Sequence, residues 1–457
     1  MALQDIGIGR RASTRERGRR RRVGHLEPVR APFDAPFEDG FAGIRYVGGG
    51  LITTLAVPPG SPRPHRLGSS WFAPATSPGA GLPLDSLLQL LRRPDAAATA
   101  ITVRIRGGGC PGDGPAPTAY RGLLGPLPAA ARRSIRLTVR TDPLLHPGLT
   151  ARYGAGPTAA LRASLAATRR VAALLRGCGV SAVPLTAAQV TATELAAAGA
   201  SAPGSAGYDD AATGTRRYSV SATDGETLCT AMESVWNLAE GPVECTLELR
   251  PGDDGPAVCA SVGVTGSLCG SPPVHWTPLT GEVPALALPA VRDLAGARLP
   301  IDDDGVIVGA DPDGRPVGLR LAGPDIARAD VVGRLDLVRR IVVRLVAAGH
   351  TTAVFTERPE RWAGLLDAVA DRGMLHAAAD GRAQVLLDDR PGARLGPLDG
   401  HTILRVHDDA DPGFDPGHHP LVRQDSGDPA VAEVSGGGRR IRVRLVATPA
   451  EDALVRG

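Results

Sequence analysis

The stretch GPTAALRASLAATRRVAALLRGCGVSAVPLTAAQVTATEL, residues 156–195, carries the least ambiguous structural signal in the chain. Leu161, Leu165, Ala172 and Leu175 recur at three- and four-residue steps, and Val171 and Leu174 widen the stripe. That spacing predicts a helix with one apolar face. Arg162, Arg169, Arg170 and Arg176 fall mostly off the stripe and are expected at a solvated or partner-facing edge. Gly177 and Gly179 stop the helix, as residues tolerant of left-handed backbone do at helix ends. Val180 to Val183 reads as a short strand. Pro184 bars an early helical turn, and Thr186 with Gln189 has the spacing of a capping box that opens a second helix. Helix, glycine stop, strand and capped helix make Tyr153 to Ala198 a scaffold with no chemistry of its own.

Working outward, 457 residues are enough for two or three domains with real cores. The formal net charge is only +3, so the molecule as a whole does not attract nucleic acid or membrane. All 51 basic residues are Arg and none is Lys. With abundant Ala, Gly and Pro, this reads as the imprint of a GC-rich coding sequence. The missing lysine excludes the phosphate-binding lysine of a P-loop, the Schiff-base lysine of a pyridoxal enzyme and the strand lysine of a kinase. The six cysteines, Cys110, Cys178, Cys229, Cys245, Cys259 and Cys269, include no Cys-x-x-Cys pair. In a long chain they are expected as reduced, partly buried thiols. No second Cys or His lies at zinc-ligand spacing, and no cofactor is expected.

No apolar run reaches the roughly 18–20 residues that span a bilayer. The best candidate, Val331 to Ala348, carries Arg334, Asp336, Arg339, Arg340 and Arg344. It is expected as an amphipathic helix capped by Asp330, with Val331, Leu335, Val338, Val342 and Leu345 as its stripe. The amino terminus has no apolar segment of the secretory type, so a cytoplasmic protein is expected.

Residues 1–40 read as a basic, Pro-rich disordered arm containing Arg10, Arg11, Arg15, Arg17, Arg19, Arg20, Arg21 and Arg22. The functional alternative is a tether to anionic lipid headgroups. Nucleic acid is not expected, because no aromatics interleave with the arginines. Residues 41–198 form a first α/β unit, with a strand Leu51 to Val57 behind the Gly48 to Gly50 turn and further strands Ile101 to Ile105 and Ser134 to Arg140. Residues 199–214 are a linker. Residues 215–290 continue as an α+β segment with a helix from Glu226 to Leu238. Its hairpin, Val243 to Arg250 with Val258 to Thr265, is expected to set Cys245 against Cys259. Residues 291–457 form a carboxy-terminal α/β unit. There, Asp302 to Asp304, Asp311 and Asp313 lack calcium-loop spacing and instead frame a hairpin of Val306 to Gly309 with Val317 to Leu321. Strands at Thr352 to Phe355, Val385 to Leu387, Ile403 to Val406 and Ile441 to Val446 alternate with helices, and Pro359 to Ala370 is one of these. His418 and His419 are expected as free loop histidines. The fold class is therefore mixed α+β: two globular subdomains with partly parallel sheets covered by helices, behind a basic arm.

No nucleophile elbow and no zinc-protease helix motif is present. A folded chain without a catalytic or metal constellation reads as a non-enzymatic assembly component. The alternative is an enzyme of the carboxy-terminal unit acting on a nucleotide or sugar. Its pocket would lie at the carboxyl ends of the strands near Phe355 and Leu387, with Thr356, Glu357 and Arg358 as candidates.

Three groups of segments resemble a known family: AYRGLLGPLP with the following RLTVRTDP; ALRASLAATRRVAALLRGCGVSAVPLTAAQV; and DGVIVGADPDGRPVGLRLAGP followed by VFTERPERW. In this order they resemble EccE, a membrane-associated component of actinobacterial type VII secretion machines. The resemblance implies an accessory subunit at the edge of a secretion pore, at the cytoplasmic face of the plasma membrane. It implies contact with other core membrane subunits of the EccB, EccC and EccD type, and it brings no catalytic residues. The family carries two amino-terminal transmembrane helices, which this sequence lacks. Its Arg10 to Arg22 block resembles the basic cytoplasmic flank of such a helix.

Overall fold

The computed structural model describes residues 31–67, 81–199 and 215–456, apart from 94, 126, 128, 146, 239–240, 252–256, 266–267, 269–270, 280–288, 370–372, 378–382, 391–394 and 408–416. The arginines from Arg10 to Arg22, Cys269 and most of the 199–214 stretch lie outside the described residues.

The strands of the first half are β1 (Phe33–Phe37), β2 (Gly40–Val47), β3 (Gly50–Val57), β4 (His65–Arg66), β5 (Gly81–Pro83), β6 (Ala100–Gly108) and β7 (Arg132–Thr141). They continue as β8 (Val183–Pro184), β9 (Thr215–Val220), β10 (Val243–Arg250), β11 (Ala257–Thr265), β12 (Trp276–Leu279) and β13 (Ala290–Val291). The second half holds β14 (Arg298–Pro300), β15 (Val306–Ala310), β16 (Pro316–Leu319), β17 (Arg328–Val332), β18 (Thr352–Thr356) and β19 (Leu375–Ala377). It ends with β20 (Val385–Asp389), β21 (Thr402–His407), β22 (Leu421–Gln424), β23 (Val431–Gly436) and β24 (Arg439–Leu445). The helices are α1 (Leu84–Arg92), α2 (Pro115–Leu124), α3 (Pro147–Ala151), α4 (Gly156–Gly177), α5 (Ala187–Gly199), α6 (Gly225–Glu233), α7 (Leu335–Ala347), α8 (Glu360–Val369) and α9 (Pro449–Arg456).

Two large sheets result. The first runs β1-β2-β3-β7-β6-β10-β11-β9-β12, with β8 beside β3 and β13 beside β11. Every pairing described in it is antiparallel. The parallel character read from the sequence is therefore confined to the second sheet. The reason is local: β2 turns into β3 across Gly48 and Gly49, both at positive φ, a two-residue hairpin that only an antiparallel pair accepts. β1 takes the last part of the segment read as an arm, with Phe33 opposite Ile44. The 41–198 and 215–290 segments meet in this sheet, because β6 bonds β10 from Ile101 opposite Leu249 to Gly107 opposite Val243.

The second sheet runs β19-β18-β20-β21-β17-β22-β23-β24-β15-β16-β4. Strands β19, β18, β20, β21, β17 and β22 are parallel, and the remaining pairs are antiparallel. The expected hairpin of β15 with β16 is present, closed by Asp311, whose carboxylate accepts from the Arg315 and Asp313 amides. One helix boundary shifts. Val331 and Val332 belong to β17, and α7 begins only at Leu335. Asp330 is thus no cap but a buried strand residue. Gly333, at φ +149, makes the break, and a β-branched Val-Val pair in an apolar run suits a buried strand.

Helix α4 packs on the core face of the first sheet with Val171, Ala172 and Leu175 of the expected stripe, and with small residues in place of its other leucines. Ala163, Ser164, Ala167, Thr168, Val171 and Leu175 are buried, whereas Leu161, Leu165 and Leu174 are only half-buried. Small residues let the helix lie close enough for the Thr168 and Thr53 hydroxyls to bond at 2.5 Å. The capping box forms as expected: the Thr186 amide donates to Gln189 Oε1 at 2.9 Å and the Gln189 amide to Thr186 Oγ1 at 3.3 Å. Helix α5 then lies on the opposite face of the sheet, seated where Gly43 leaves no room for a Cβ beneath Ala187. Helix α2, although from the first half, packs into the second core, where the buried Tyr120 hydroxyl accepts from the Ile307 amide at 2.8 Å.

Candidate functional site

In an open parallel sheet the carboxyl ends of the strands are the first place to look for a ligand site. Here they hold buried carboxylates with close partners. Asp389, at the end of β20, accepts from Thr356 Oγ1 at 3.2 Å, Trp362 Nε1 at 2.8 Å and the Arg358 guanidinium at 2.8 Å. The Arg361 guanidinium lies 3.7 Å from the same carboxylate. Asp388 accepts from Arg390 Nε at 3.0 Å and from the Leu395 amide at 2.7 Å. Two of the three residues named from the sequence, Thr356 and Arg358, are thus brought together, but as ligands of Asp389. The Arg358 amide also donates to Thr356 Oγ1 at 2.9 Å, which closes the turn into α8.

Helices α7 and α8 cover one face of the parallel strands. On the other face lies a second polar group that sequence reading missed. The buried His407 Nε2 sits 2.9 Å from Asp330 Oδ1, which also accepts from Arg328 Nε at 3.0 Å. Asp330 Oδ2 is buried without a hydrogen bond. The parallel register carries this signal, since Asp330 stands beside Arg405 and Val332 beside His407. Burial, together with the charge of Arg328, pulls His419 below its ordinary pKa.

The third arrangement lies on the first sheet. Along β6, Ile101, Val103 and Ile105 face the core, so Thr102, Arg104 and Arg106 face outward. Along β7, Ile135, Leu137 and Val139 alternate in the same way with Ser134, Arg136, Thr138 and Arg140. Arg104, Arg106, Ser134 and Arg136 surround a hollow of about 50 Å³, closed by Thr193 and Glu194 of α5 and by Glu244 of β10. The strand pattern Thr-Val-Arg-Ile-Arg contains this outward row, which is visible once the apolar positions are assigned inward.

The arginines picked out on α4 are tied to neighbouring strands and loops. Arg169 stacks over the Phe37 ring at 5.2 Å and lies 3.8 Å from Glu38. Arg170 bonds the Asp95 carbonyl and lies 3.7 Å from its carboxylate, and Arg162 reaches the Tyr153 carbonyl at 3.5 Å. Arg176 is exposed beside Gly179 and Val180. Cys245 and Cys259 do not face each other: Cys245 stands opposite Val262 and Cys259 opposite Glu248, because the β10–β11 turn sets a different register. Burial pushes the Cys245 and Cys229 thiols up to about 12, far from a thiolate at neutral pH. Among the described residues, no group of three His, Cys, Asp or Glu side chains is placed to hold a metal ion. Among them, too, no helix is long and apolar enough to cross a membrane.

Residues 129–228 match the family described as "Putative type VII ESX secretion system translocon, EccE". The match begins just before β7, passes through α4 and α5 and ends within α6, so it includes one wall of the hollow. No curated protein matches the chain. Over residues 129–228 the chain is similar to the EccE family, whose description is that of a type VII secretion translocon.

Proposed function

We propose that the protein is a non-enzymatic structural or accessory subunit of a type VII secretion complex, held at the cytoplasmic face of the plasma membrane against subunits of the EccB, EccC and EccD type. The observation that carries this reading is the family match across β7, α4 and α5, which is scaffold rather than chemistry. Two features support it. The carboxylates at the ends of the parallel strands are engaged by arginines, a Trp and backbone amides, so the residues an enzyme would use there are occupied. Exposed apolar side chains, Phe41 on β2, Leu144 and Leu145 in the turn after β7 and Leu195 on α5, are available to a partner. The Arg10–Arg22 block adds a means of peripheral attachment through anionic lipid, each basic residue contributing about 1 kcal/mol near such a surface. Tagged protein expressed with the other core subunits is expected to co-purify with them from solubilised membranes. Recovery only as a free monomer, with secretion unaffected by deletion of its gene, overturns the proposal.

A further inference from the structure

The hollow on the outer face of the first sheet places like charges against one another. Arg104 of β6 and Arg136 of β7 are directly opposite in the register, and Arg106 follows two residues along on the same side. Like charges at opposed positions of an antiparallel pair repel, and folded chains normally offset this with a carboxylate between them. Two carboxylates are nearby, but each is held by another arginine. Glu244 is opposite Arg106 and bonded to it at 3.2 Å, and Glu194 is in a bidentate pair with Arg45 of β2. Arg104 and Arg136 have no ion pair among the described residues. Burial and the charges of Arg106 and Arg104 hold Arg136 below its ordinary pKa against the pull of Glu244. Two guanidiniums on adjacent strands therefore carry two uncompensated charges into one small concavity. The concavity also presents the Thr193 hydroxyl and that of Ser134, which otherwise donates to the Arg106 carbonyl at 3.4 Å, and it has room for a compact group.

We propose that this hollow is an oxyanion site for a phosphate group, with the Arg104 and Arg136 guanidiniums as its charged ligands and Ser134 and Thr193 as neutral donors. A phosphate oxyanion, doubly charged as the free ion or singly charged in a phosphodiester headgroup, offsets the two free guanidiniums, and the planar N–H fork of arginine fits its oxygens. The carboxylates on the rim remain with Arg45 and Arg106 and disfavour larger, more highly charged anions. The proposal does not depend on the secretion role. The phosphate has two sources of the same chemistry, free inorganic phosphate or the headgroup of an anionic phospholipid, and the experiment separates them.

Thermal unfolding of the full chain in inorganic phosphate, against chloride at equal ionic strength, is the first arm. A ligand that binds only the folded state raises Tm with its concentration. The wild type is expected to be stabilised by phosphate, and Arg104→Gln and Arg136→Gln to lose at least about tenfold in apparent phosphate affinity. In chloride the same variants are expected to be as stable as the wild type or more so, because they remove a repulsion. A purely structural role for these arginines predicts the opposite sign in chloride. Arg440→Gln, on the second sheet, serves as the control and keeps the wild-type response. Equal Tm in phosphate and chloride, or wild-type phosphate affinity in both variants, overturns the proposal. Flotation with phosphatidylglycerol and phosphatidylcholine vesicles, the arm retained throughout, then assigns the source. Weaker binding of the double variant to phosphatidylglycerol alone identifies a headgroup. Unchanged flotation beside a lost phosphate response identifies the free ion.

Discussion

Asp304 and Ala130 bond each other twice: the Asp304 amide donates to the Ala130 carbonyl at 2.8 Å, and the Ala130 amide donates to Asp304 Oδ2 at 2.6 Å. Ala130 leads into β7 of the first sheet and Asp304 into β15 of the second, so this exchange ties the two sheets together. Around it, His65 Nε2 lies 3.1 Å from Asp304 Oδ1 and Arg133 lies 3.5 Å from Oδ2. The adjacent Asp302 accepts from the Gly60 amide at 2.7 Å. Segments from three parts of the chain converge here.

Asp304→Asn keeps the shape and removes the charge, leaving Arg133 and His65 facing a neutral amide. Loss of one partner from a largely buried ion pair costs about 3 kcal/mol. Urea unfolding should show a lower midpoint by that order. Asp304→Ala should cost more, because the Ala130 amide also loses its acceptor. Asp325→Asn is the milder comparison, since its carboxylate is more exposed in its pair with Arg320.

The neighbour Asp303 gives this junction a pH dependence. Burial pushes its carboxyl up to about 7, against the lowering influence of Arg320 and Arg133, and its Oδ1 has no hydrogen-bond partner. The folded state therefore binds this proton more tightly than the unfolded chain. The stabilisation is complete below the unfolded carboxylate range and is lost as pH rises toward 7. His65 acts in the same direction at higher pH. Burial lowers it, but the Asp304 hydrogen bond and charge outweigh that and raise it above 6.5. Its stabilisation is present below about 6.5 and is lost as pH rises through the raised value. The junction's own contribution should thus fall as pH rises from 5 through the raised His65 value, opposed below about 6.5 elsewhere in the fold by His350, whose burial lowers it to about 3. In Asp303→Asn the lower part of that fall should vanish and the His65 part remain. An unchanged pH profile in Asp303→Asn would contradict the raised carboxyl.

Much of the architecture was legible because it rests on local signals. The Thr186–Gln189 box, the Asp313-Gly314 turn of the β15–β16 hairpin and the alternation along β10 each need only a few neighbouring residues. The misreadings share a different cause. Asp330 looked like a cap because a helix pattern begins nearby, but the run Ala-Asp-Val-Val is buried on both faces of a parallel strand, where periodicity cannot separate strand from helix. Cys245 and Cys259 were set opposite because the hairpin is evident, but its exact register depends on the turn. The hollow at Arg104 and Arg136 needs the pairing of β6 with β7 across the whole of α2, information that no window of sequence contains. The same holds for His407 and Asp330, 77 residues apart.

Gly305 tests whether the β15 hairpin is held by its glycine. Its φ is +64, and a Cβ there would lie 2.3 Å from the Leu319 carbonyl carbon. The obstruction is backbone, which cannot turn aside as a side chain can. Gly305→Ala is expected to destabilise by several kcal/mol, about 3 or more, from the strained φ and the clash together. Gly314→Ala, also at positive φ but in open space, should cost only about 1 kcal/mol. The two unfolding midpoints, measured side by side, separate the clash from the backbone strain.

Arg344 and Glu451 form the most deeply buried ion pair described, with Arg344 1% and Glu451 0% exposed. Arg344 Nε donates to Glu451 Oε1 at 2.6 Å and its terminal nitrogen to Oε2 at 2.7 Å, a bidentate fork. The remaining guanidinium hydrogens go to the carbonyls of Ile307, Val308 and Val446, at 2.6, 3.2 and 2.5 Å, so one arginine binds α7 to β15, to the end of β24 and to α9. Such a pair is costly to desolvate, and its net contribution is small when both partners are present. Its removal on one side only is severe, because the other charge is left buried and uncompensated. Glu451→Gln is expected to cost about 3–5 kcal/mol. The cost should appear first as exchange of the α9 amides, since that helix loses its buried ion pair to α7 and keeps the part-exposed Arg340–Asp452 pair and the Arg339 bond to the Val455 carbonyl. The double variant Arg344→Met with Glu451→Leu should recover most of this loss, because an apolar pair of similar volume needs no desolvation of charge. A double variant as unstable as the sum of its single variants would mean that the carbonyl contacts of Arg344, and not its charge pairing, hold the helix in place.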